Sequence, residues 1–456
     1  MRCKSRFLPF GYWSVGGLLC LLVVLPALSS TSGELDSDQQ FDASQAFGPG
    51  DVKEGYESEE YRTDSRSLLE RRGVKKDLMR YVENPPLGLP QVVFPEDNPI
   101  TREKIDLGRK LFFDRRLSIN NTLSCAVCHI PEQGFTNNEL ATAVGVEGRS
   151  VLRNSPTLYN VAYQENLFLD GREISLENQV WQPITARNEM AAPSIGYVIR
   201  KIQQIQDYDG LFEAAFDNRG PDIATIGFAL ASYQRVLLSG DAPFDRWYFG
   251  GQADAISESA KKGFGVFSGK GQCIVCHRVG EDHALFVDHD FHNTGLGYAV
   301  SAGQPSSTDS RTTRVQLAPG IFADVPNQTI LSVSRNRNTN DLGLYRITEN
   351  PNDRWKFRTQ TLRNITLTAP YMHNGQFNTL REVIEFYNEG GIANELLSPF
   401  IRPLNLTESE IDDLEAFLLT LTGSNVADLV ADAFAAEIGD ISIDDPKWPN
   451  TNKLDF

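Results

Sequence analysis

Cysteine is scarce in this chain of 456 residues, and its distribution excludes a conventional disulfide framework. Only six cysteines are present, and two of them, Cys3 and Cys20, lie within the first thirty residues. The other four all belong to two Cys-x-x-Cys-His motifs, so none is left over for the disulfide scaffold of a small secreted domain. A hydrophobic content of 41% is instead enough to form an ordinary apolar core.

Basic residues are also in short supply, because 43 lysines and arginines face 60 acidic residues and give a net charge of −17. Such an acidic surface argues against nucleic acid or an anionic membrane as a partner. Long apolar runs are absent after the first thirty residues. Within those first thirty residues, Arg2, Lys4 and Arg6 precede a short apolar run from Gly16 to Leu28. This pattern predicts a signal peptide over residues 1–30 and a periplasmic protein, with an uncleaved anchor as the alternative.

The rest of the chain is predicted to be mainly α-helical. Residues 223–238 carry apolar side chains at helical spacing, and capping boxes begin helices at Thr379 and Thr407. A long stretch over 281–346, rich in Gly, Ser and Asn, lacks periodicity and has no assigned role. We predict a flexible acidic segment over 31–85, domains over 86–240 and 241–430, and a C-terminal tail over 431–456.

The two Cys-x-x-Cys-His motifs carry the strongest functional signal. They are formed by Cys125, Cys128 and His129 and, far along the chain, by Cys273, Cys276 and His277. Two thiols at this spacing can bond the two vinyl groups of one haem, and the next residue presents an imidazole to its iron. A four-cysteine zinc site would bring its pairs much closer in sequence, and neither zinc nor a redox disulfide explains the repeated histidine. The motifs therefore predict two covalently bound c-type haems.

The sequence around these motifs resembles the bacterial di-haem cytochrome c peroxidase family, including its MauG branch. The likeness runs from about Leu107 to Gly423. Its landmarks are Leu107-Gly-Arg-Lys-Leu-Phe-Phe-Asp114, Arg153-Asn-Ser-Pro-Thr157, Asp170-Gly-Arg172, Gln179, Pro183, Glu189-Met190, Phe244-Asp-Arg-Trp247, Leu362-Arg-Asn364 and Thr368-Ala-Pro-Tyr-Met-His-Asn-Gly375. The resemblance implies two tandem cytochrome c-like domains with one haem each. Peroxide would react at the first haem, and electrons would enter through the second.

The resemblance also implies which residues form the peroxide site. Gln179 and Glu189 would lie in the distal pocket of the first haem, Pro183 would shape it, and Glu189 would move protons. In an apolar pocket the pKa of this carboxyl should be raised. Many family members carry a histidine shortly after the first motif that blocks the iron, but the corresponding stretch here is Val144–Gly148. We therefore expect a first haem that is open without reductive activation.

The second haem needs a sixth ligand, for which the resemblance implies Tyr387. Methionine is usual there in the peroxidase branch, whereas the MauG branch uses tyrosine, and a core tyrosine is the structural alternative. A phenolate would lower the reduction potential relative to methionine. A further departure is Leu169, which stands where the family often has tryptophan, so the electron route between the haems is left open. His373 is expected at a haem propionate or in the calcium shell.

A calcium ion is also implied, with Asn154, Thr368 and Pro370 at the family's ligand positions. We thus predict an oxidoreductase that reduces hydrogen peroxide to water with electrons from a small cytochrome c or copper protein. One alternative is a MauG-like enzyme that uses peroxide to oxidise a protein substrate through high-valent haems. Another is a di-haem electron-transfer cytochrome without turnover. No nucleic-acid partner is expected, and the chain could form a homodimer.

Overall fold

The computed structural model describes residues 73–301, 312–318, 321–326 and 341–438. The predicted signal peptide over 1–30 lies outside them, as do most of the predicted acidic segment and the end of the predicted tail. Among the described residues, no single helix has the length and apolar character that a membrane crossing needs. The bent pair Glu408–Leu421 and Val426–Ala433 meets those two criteria jointly.

The described chain is mainly helical, as predicted. Its helices, in chain order, are α1 (Met79–Glu83), α2 (Arg102–Phe113), α3 (Cys125–Cys128), α4 (Leu176–Gln179), α5 (Trp181–Thr185), α6 (Ile195–Gln203), α7 (Leu211–Ala215), α8 (Ile223–Arg235), α9 (Pro243–Tyr248), α10 (Glu258–Ser268), α11 (Leu296–Ser301), α12 (Tyr345–Thr348), α13 (Leu380–Asn388), α14 (Glu408–Leu418) and α15 (Val426–Ala433). Its strands are β1 (Phe291–His292), β2 (Thr312–Ala318), β3 (Ile321–Pro326) and β4 (Phe357–Arg358). β1 pairs antiparallel with β4, and β2 with β3.

In the part of the chain that the structure describes, two large hydrophobic cores organise the fold, beside a small cluster of Val161, Leu167, Leu176 and Ala231. The first core draws on buried residues from Leu78 to Leu238 and on Leu429 and Ala433, whereas the second core uses buried residues between Phe244 and Leu421. Short 3₁₀ turns connect many of the helices around these cores, and one of them, Cys273–Val275, contains the first cysteine of the second motif. Each Cys-x-x-Cys-His motif therefore lies beside its own core.

The same helix crossing occurs in both cores, and a glycine makes it possible. A Cβ atom on Gly108 of α2 would lie 1.9 Å from the carbonyl oxygen of Ala229 on α8. A Cβ atom on Gly263 of α10 would lie 1.8 Å from the carbonyl oxygen of Asp413 on α14. No side chain fits at such distances, so glycine permits the two helix backbones to touch in each case. Each of the two large cores therefore contains one such close helix crossing.

Local sequence signals identified the later helices correctly. Thr379 accepts a hydrogen bond from the amide of Glu382, whose carboxylate accepts one from the amide of Thr379 in return, and Thr407 and Glu410 form the same box. Both predicted capping boxes are thus confirmed. The predicted helix over 223–238 ends three residues earlier, at Arg235. Its first residue follows Asp222, whose carboxylate caps the amides of Ala224 and Thr225.

The predicted boundaries of the terminal segments need correction. Residues 73–83 were assigned to a flexible segment, but they pack on the last helix, α15. The amide of Val74 donates to the carbonyl of Ala431, and Arg80 pairs with Asp428 at 2.5 Å. Residues 431–433 were assigned to a tail, but they complete α15, where Ala433 is buried in the first core. The charge pattern of these segments gave no sign of partners more than 300 residues away.

The unassigned stretch over 281–346 also contributes to the fold. Ala284, Phe286 and Leu296 are buried in the second core. Further on, β2 and β3 form a hairpin, and α12 follows residue 341. The beginning of this stretch is therefore part of the second core and not a peripheral loop.

Candidate active site

The first motif forms one helical turn against the first core. α3 spans Cys125–Cys128, and the amide of His129 donates to the carbonyl of Cys125 at 2.9 Å. The Nδ1 atom of His129 lies 2.9 Å from the carbonyl oxygen of the buried residue Phe135, to which it donates. Burial lowers the pKa of His129, which favours the neutral imidazole. Nε2 is then the nitrogen that can bind a metal.

A cavity of about 510 Å³ adjoins this motif and is called the first cavity. Cys128 and His129 line it together with all three residues expected at the peroxide site, Gln179, Pro183 and Glu189. The structure therefore brings these five residues to one cavity although they are separated by up to 61 positions (128–189) in the sequence.

Two short helices hold the distal residues. Gln179 ends α4, which begins after the Ser175 cap, and the neighbouring Glu177 is fixed by an ion pair with the buried Arg235. Pro183 lies within the first turn of α5, where a helix needs no amide donor from it. The Pro183 carbonyl accepts from the amide of Met190, which anchors the loop that carries Glu189.

Burial raises the pKa of Glu189, and the nearby Arg172 partly opposes this effect. This direction agrees with the expectation for a carboxyl in an apolar pocket. A carboxyl whose pKa is raised toward neutrality can both accept and return a proton in the working pH range, which is the property that a general acid–base group needs.

The loop over 144–148 contains no histidine and packs against the loop that carries Glu189. A Cβ atom on Gly145 would lie 2.1 Å from the carbonyl oxygen of Asn188 and 2.8 Å from the Cα atom of Glu189. The amide of Val146 also donates to the carbonyl of Glu189 at 2.9 Å. The backbone of this loop therefore packs directly on the acid-bearing loop. His129 is the one histidine among the described residues that line the first cavity.

The second motif borders a separate cavity of about 290 Å³, called the second cavity. Its lining contains Cys273, Cys276 and His277 of the motif and also Tyr387. His277 donates from Nδ1 to the carbonyl of the buried Phe286 at 2.9 Å, so its geometry matches that of the first motif histidine. The predicted sixth ligand and the predicted proximal ligand thus face one cavity.

Tyr387 lies on α13, which begins at the Thr379 capping box. Among the described residues, its hydroxyl has no hydrogen-bond partner, whereas the hydroxyl of Tyr371 in the same cavity donates to the carbonyl of Ile365 at 3.0 Å. Burial raises the pKa of Tyr387. The free phenol would therefore keep its proton, and coordination to a metal ion is the interaction that would remove it.

The three expected calcium positions also come together. Asn154, Thr368 and Pro370 all line the second cavity, and Asn154 lines the first cavity as well. The amide of Asn154 donates to the carbonyl of His373 at 2.8 Å. His373 stacks on Phe357 with ring centroids 3.8 Å apart, and burial lowers its pKa to about 4. Of these residues, Asn154 borders both cavities, whereas the others border the second cavity.

The three other histidines, in the stretch after residue 281, do not form a metal cluster in the part of the chain that the structure describes. His283 pairs with Asp282 and His292 with Asp288, both at 2.7 Å. One group of potential ligands, Cys276, Asp288 and His292, has its atoms within 4.8 Å of one another. Because Cys276 belongs to the second motif and lines the second cavity together with His292, this group adjoins that cavity and is not an additional centre.

Sequence reasoning did not single out two residues of these cavities. Tyr159 is 1% exposed and lines the first cavity, and its hydroxyl is buried without a hydrogen-bond partner in the described residues. Arg358 is buried and lines both cavities. An orphaned hydroxyl and a buried cation both fit a cavity that receives a polar, anionic group. Neither residue belongs to a pattern that could have identified it in the sequence.

Comparison with known proteins identifies the family to which these cavities belong. A family model described as "Di-haem cytochrome c peroxidase" matches residues 102–253 of this chain. The methylamine utilization protein MauG of Methylorubrum extorquens is 36% identical over 74% of this chain and 83% of its own length. The chain belongs to the di-haem cytochrome c peroxidase family.

Other members of the di-haem cytochrome c peroxidase family support the same assignment. Cytochrome-c peroxidase IdrP1 of Denitromonas iodatirespirans is 37% identical over 74% of this chain and 86% of its own length. The crystal structure of a MauG-like protein associated with microbial copper homeostasis superposes with a TM-score of 0.61. The two sequences are 32% identical, and the match covers 77% of this chain and 97% of the MauG-like chain. The prediction of a di-haem peroxidase-like oxidoreductase is therefore confirmed at the level of the family.

Proposed function

We propose that this protein reduces hydrogen peroxide to water in the first cavity with electrons that an external donor delivers through the second. One observation carries this proposal: the acid–base candidate Glu189 shares a cavity with the proximal ligand candidate His129, and no second histidine lines that cavity in the described chain. A site for peroxide therefore remains open beside a group that can move protons.

Each cavity fits one haem by the chemistry of its residues. Cys125 and Cys128 would hold the first haem and Cys273 and Cys276 the second, and His129 and His277 would be the proximal ligands. Bound haem supplies an iron that exchanges electrons with peroxide and with the donor. A calcium ion held by Asn154, Thr368 and Pro370 would join the two domains through oxygen ligands.

The protein's own part in the reaction is the handling of protons. Reduction of one peroxide molecule consumes two electrons and two protons and yields two water molecules. Glu189 would accept a proton from the peroxide oxygen that lies nearer to His129. It would then donate this proton to the other peroxide oxygen, which can leave as water. Gln179 would orient the peroxide by hydrogen bonding, and Pro183 would keep the pocket narrow.

Replacing Tyr387 with phenylalanine tests the second site. If the phenolate is the sixth ligand, Tyr387→Phe should abolish the low-spin EPR signal of the second haem and raise its reduction potential, because a hard anionic donor that favours ferric iron is lost. Tyr371→Phe is the matched control, since it removes a hydroxyl from the same cavity that already has a carbonyl partner. Identical spectra for wild type and Tyr387→Phe would exclude ligation by this tyrosine.

A second candidate function is a MauG-like oxidation of a protein substrate with peroxide. It is favoured by Tyr387 and by Leu169, which is 5% exposed and lines both cavities without an oxidisable ring. Under the leading proposal the partner is a small cytochrome c or copper protein, and under the second it is a larger protein. Both place the protein in the periplasm after export by residues 1–30.

Steady-state assays of the protein as purified test the leading proposal. Because the loop over 144–148 contains no histidine that could block the first haem, peroxide consumption with reduced cytochrome c should begin without a lag and without prior reduction. The oxidised protein should also show a high-spin component from the first haem. A lag that reductive treatment removes, or two low-spin haems, would contradict an open first site. Peroxide that produces a long-lived oxidised state without donor turnover would favour the second candidate.

A further inference from the structure

Arg358 is a buried cation without a carboxylate partner. Its side chain is 7% exposed, and its Nε atom donates to the carbonyl of Phe168 at 3.0 Å. The two terminal nitrogens contact the side-chain carbonyl oxygens of Gln164 and Gln360. Within the described parts of the chain, no carboxylate lies within ion-pair distance of this guanidinium. All three of its partners are neutral oxygens.

The other buried arginines behave differently. In the described chain each of them forms an ion pair with a carboxylate: Arg109 with Asp432, Arg116 with Asp114, Arg235 with Glu177 and Arg363 with Asp245. Burying a guanidinium is unfavourable unless an anion compensates its charge. Burial accordingly lowers the pKa of Arg358 to about 10. Arg358 is therefore the one buried arginine in the described chain whose counter-ion the described polypeptide does not supply.

The position of Arg358 indicates where that counter-ion would come from. The residue lines both the first and the second cavity, and it ends β4, the strand that pairs with β1. Its backbone amide donates to the carbonyl of Leu169 at 2.9 Å, and Leu169 also lines both cavities. The guanidinium is thus held in the wall that separates the two cavities.

We propose that Arg358 is a positioning residue that binds a haem propionate at the wall between the two cavities. The inference rests on the proposed attachment of haem at both motifs, because each haem brings two carboxylates. A planar guanidinium fits a carboxylate with two parallel hydrogen bonds, which fixes orientation as well as charge. Arg358 would thereby hold one haem edge against a strand that both cavities share.

The contact between Arg358 and a propionate should influence the reduction potential of the haem that carries the propionate. A propionate carries negative charge, which stabilises ferric iron over ferrous iron, and an adjacent guanidinium offsets that charge in a site of low dielectric. Removal of the guanidinium should therefore lower the midpoint potential of the haem that it contacts. A purely structural arginine would affect stability and leave the potentials unchanged.

Spectroelectrochemical titration of the full protein tests the inference with three variants. Arg358→Gln should lower the midpoint potential of at least one haem by about 59 mV, which corresponds to about a tenfold change in the one-electron equilibrium. Arg358→Lys keeps the charge and should show a smaller shift. Arg219→Gln removes an exposed arginine, 54% accessible and paired with Asp222, and should leave both potentials unchanged.

The outcomes separate the two proposals. A haem content of two per chain in the wild type supports the proposed function, and a lower content overturns it together with this inference. Two haems and unchanged potentials in Arg358→Gln would overturn the role of Arg358 alone. If the glutamine variant does not fold, the resonance Raman bending band of the propionates decides: it should differ between wild type and Arg358→Lys, and identical bands would contradict the contact.

Discussion

Glu189→Gln should reduce peroxide turnover by about 100- to 10,000-fold, the usual contribution of a general acid–base group. Glutamine keeps the size of the side chain but cannot take up and release a proton. Haem attachment should be unchanged, because the substitution leaves both Cys-x-x-Cys-His motifs intact. The comparison requires steady-state rates at saturating donor, with haem content measured on the same preparations.

The matched control is Glu147→Gln, which removes an exposed carboxylate from the loop that packs on Glu189. This variant should keep most of the wild-type rate of peroxide turnover. The pH profile gives a second criterion. Because burial raises the pKa of Glu189, the wild-type rate should fall with decreasing pH at a higher pH than the ordinary glutamate value of about 4.3. Glu189→Gln should lack that acidic limb; a slow variant that retained it would assign proton transfer to another residue.

Asp245→Ala should lower the free energy of unfolding by about 3–5 kcal/mol, as expected when a buried ion pair loses one partner. Asp245 is 0% exposed and Arg363 1%, and two hydrogen bonds of 2.9 Å join them. Arg363 also donates to the carbonyls of Gly88 and Ala284, which belong to segments far apart in the sequence. Urea denaturation followed by circular dichroism would measure the loss.

Asp241→Ala is the appropriate comparison because the same residue type lies four positions earlier and pairs with Arg246. That pair is 36–39% exposed, so its removal should cost no more than about 1 kcal/mol. Equal losses of unfolding free energy in the two variants would mean that burial does not make the Asp245–Arg363 pair more important for stability. The pair also gives a structural reason why two of the landmarks, Phe244–Trp247 and Leu362–Asn364, occur together: they meet at this contact.

Local patterns were sufficient to predict where the two Cys-x-x-Cys-His motifs lie. A Cys-x-x-Cys-His motif fixes three ligating groups within one helical turn, so it can be recognised without knowledge of the fold. The positions of Gln179, Pro183 and Glu189 came from family resemblance, and the structure brings them to the cavity of the first motif. The capping boxes at Thr379 and Thr407 were readable because their hydrogen bonds span only three residues.

Features that depend on distant contacts could not be predicted in this way. Helix α1 and the preceding residues read as polar and acidic, yet Lys76 and Arg80 bond to α15 at the other end of the described chain. The close approach at Gly145 depends on the carbonyl of Asn188, more than forty positions away. Arg358 showed no local signal because what distinguishes it is a missing carboxylate, which only the folded arrangement reveals.

The contact of α1 with α15 has a consequence for biosynthesis. A chain that emerges amino terminus first would normally complete its leading domain before the trailing one is made. Here Leu429 and Ala433 fill the first core, so that core stays incomplete until nearly the whole polypeptide has been synthesised. The last helix of the described chain therefore completes the first core. Nascent chains that stop before residue 426 should thus leave the first core unfinished while containing every residue of the second core.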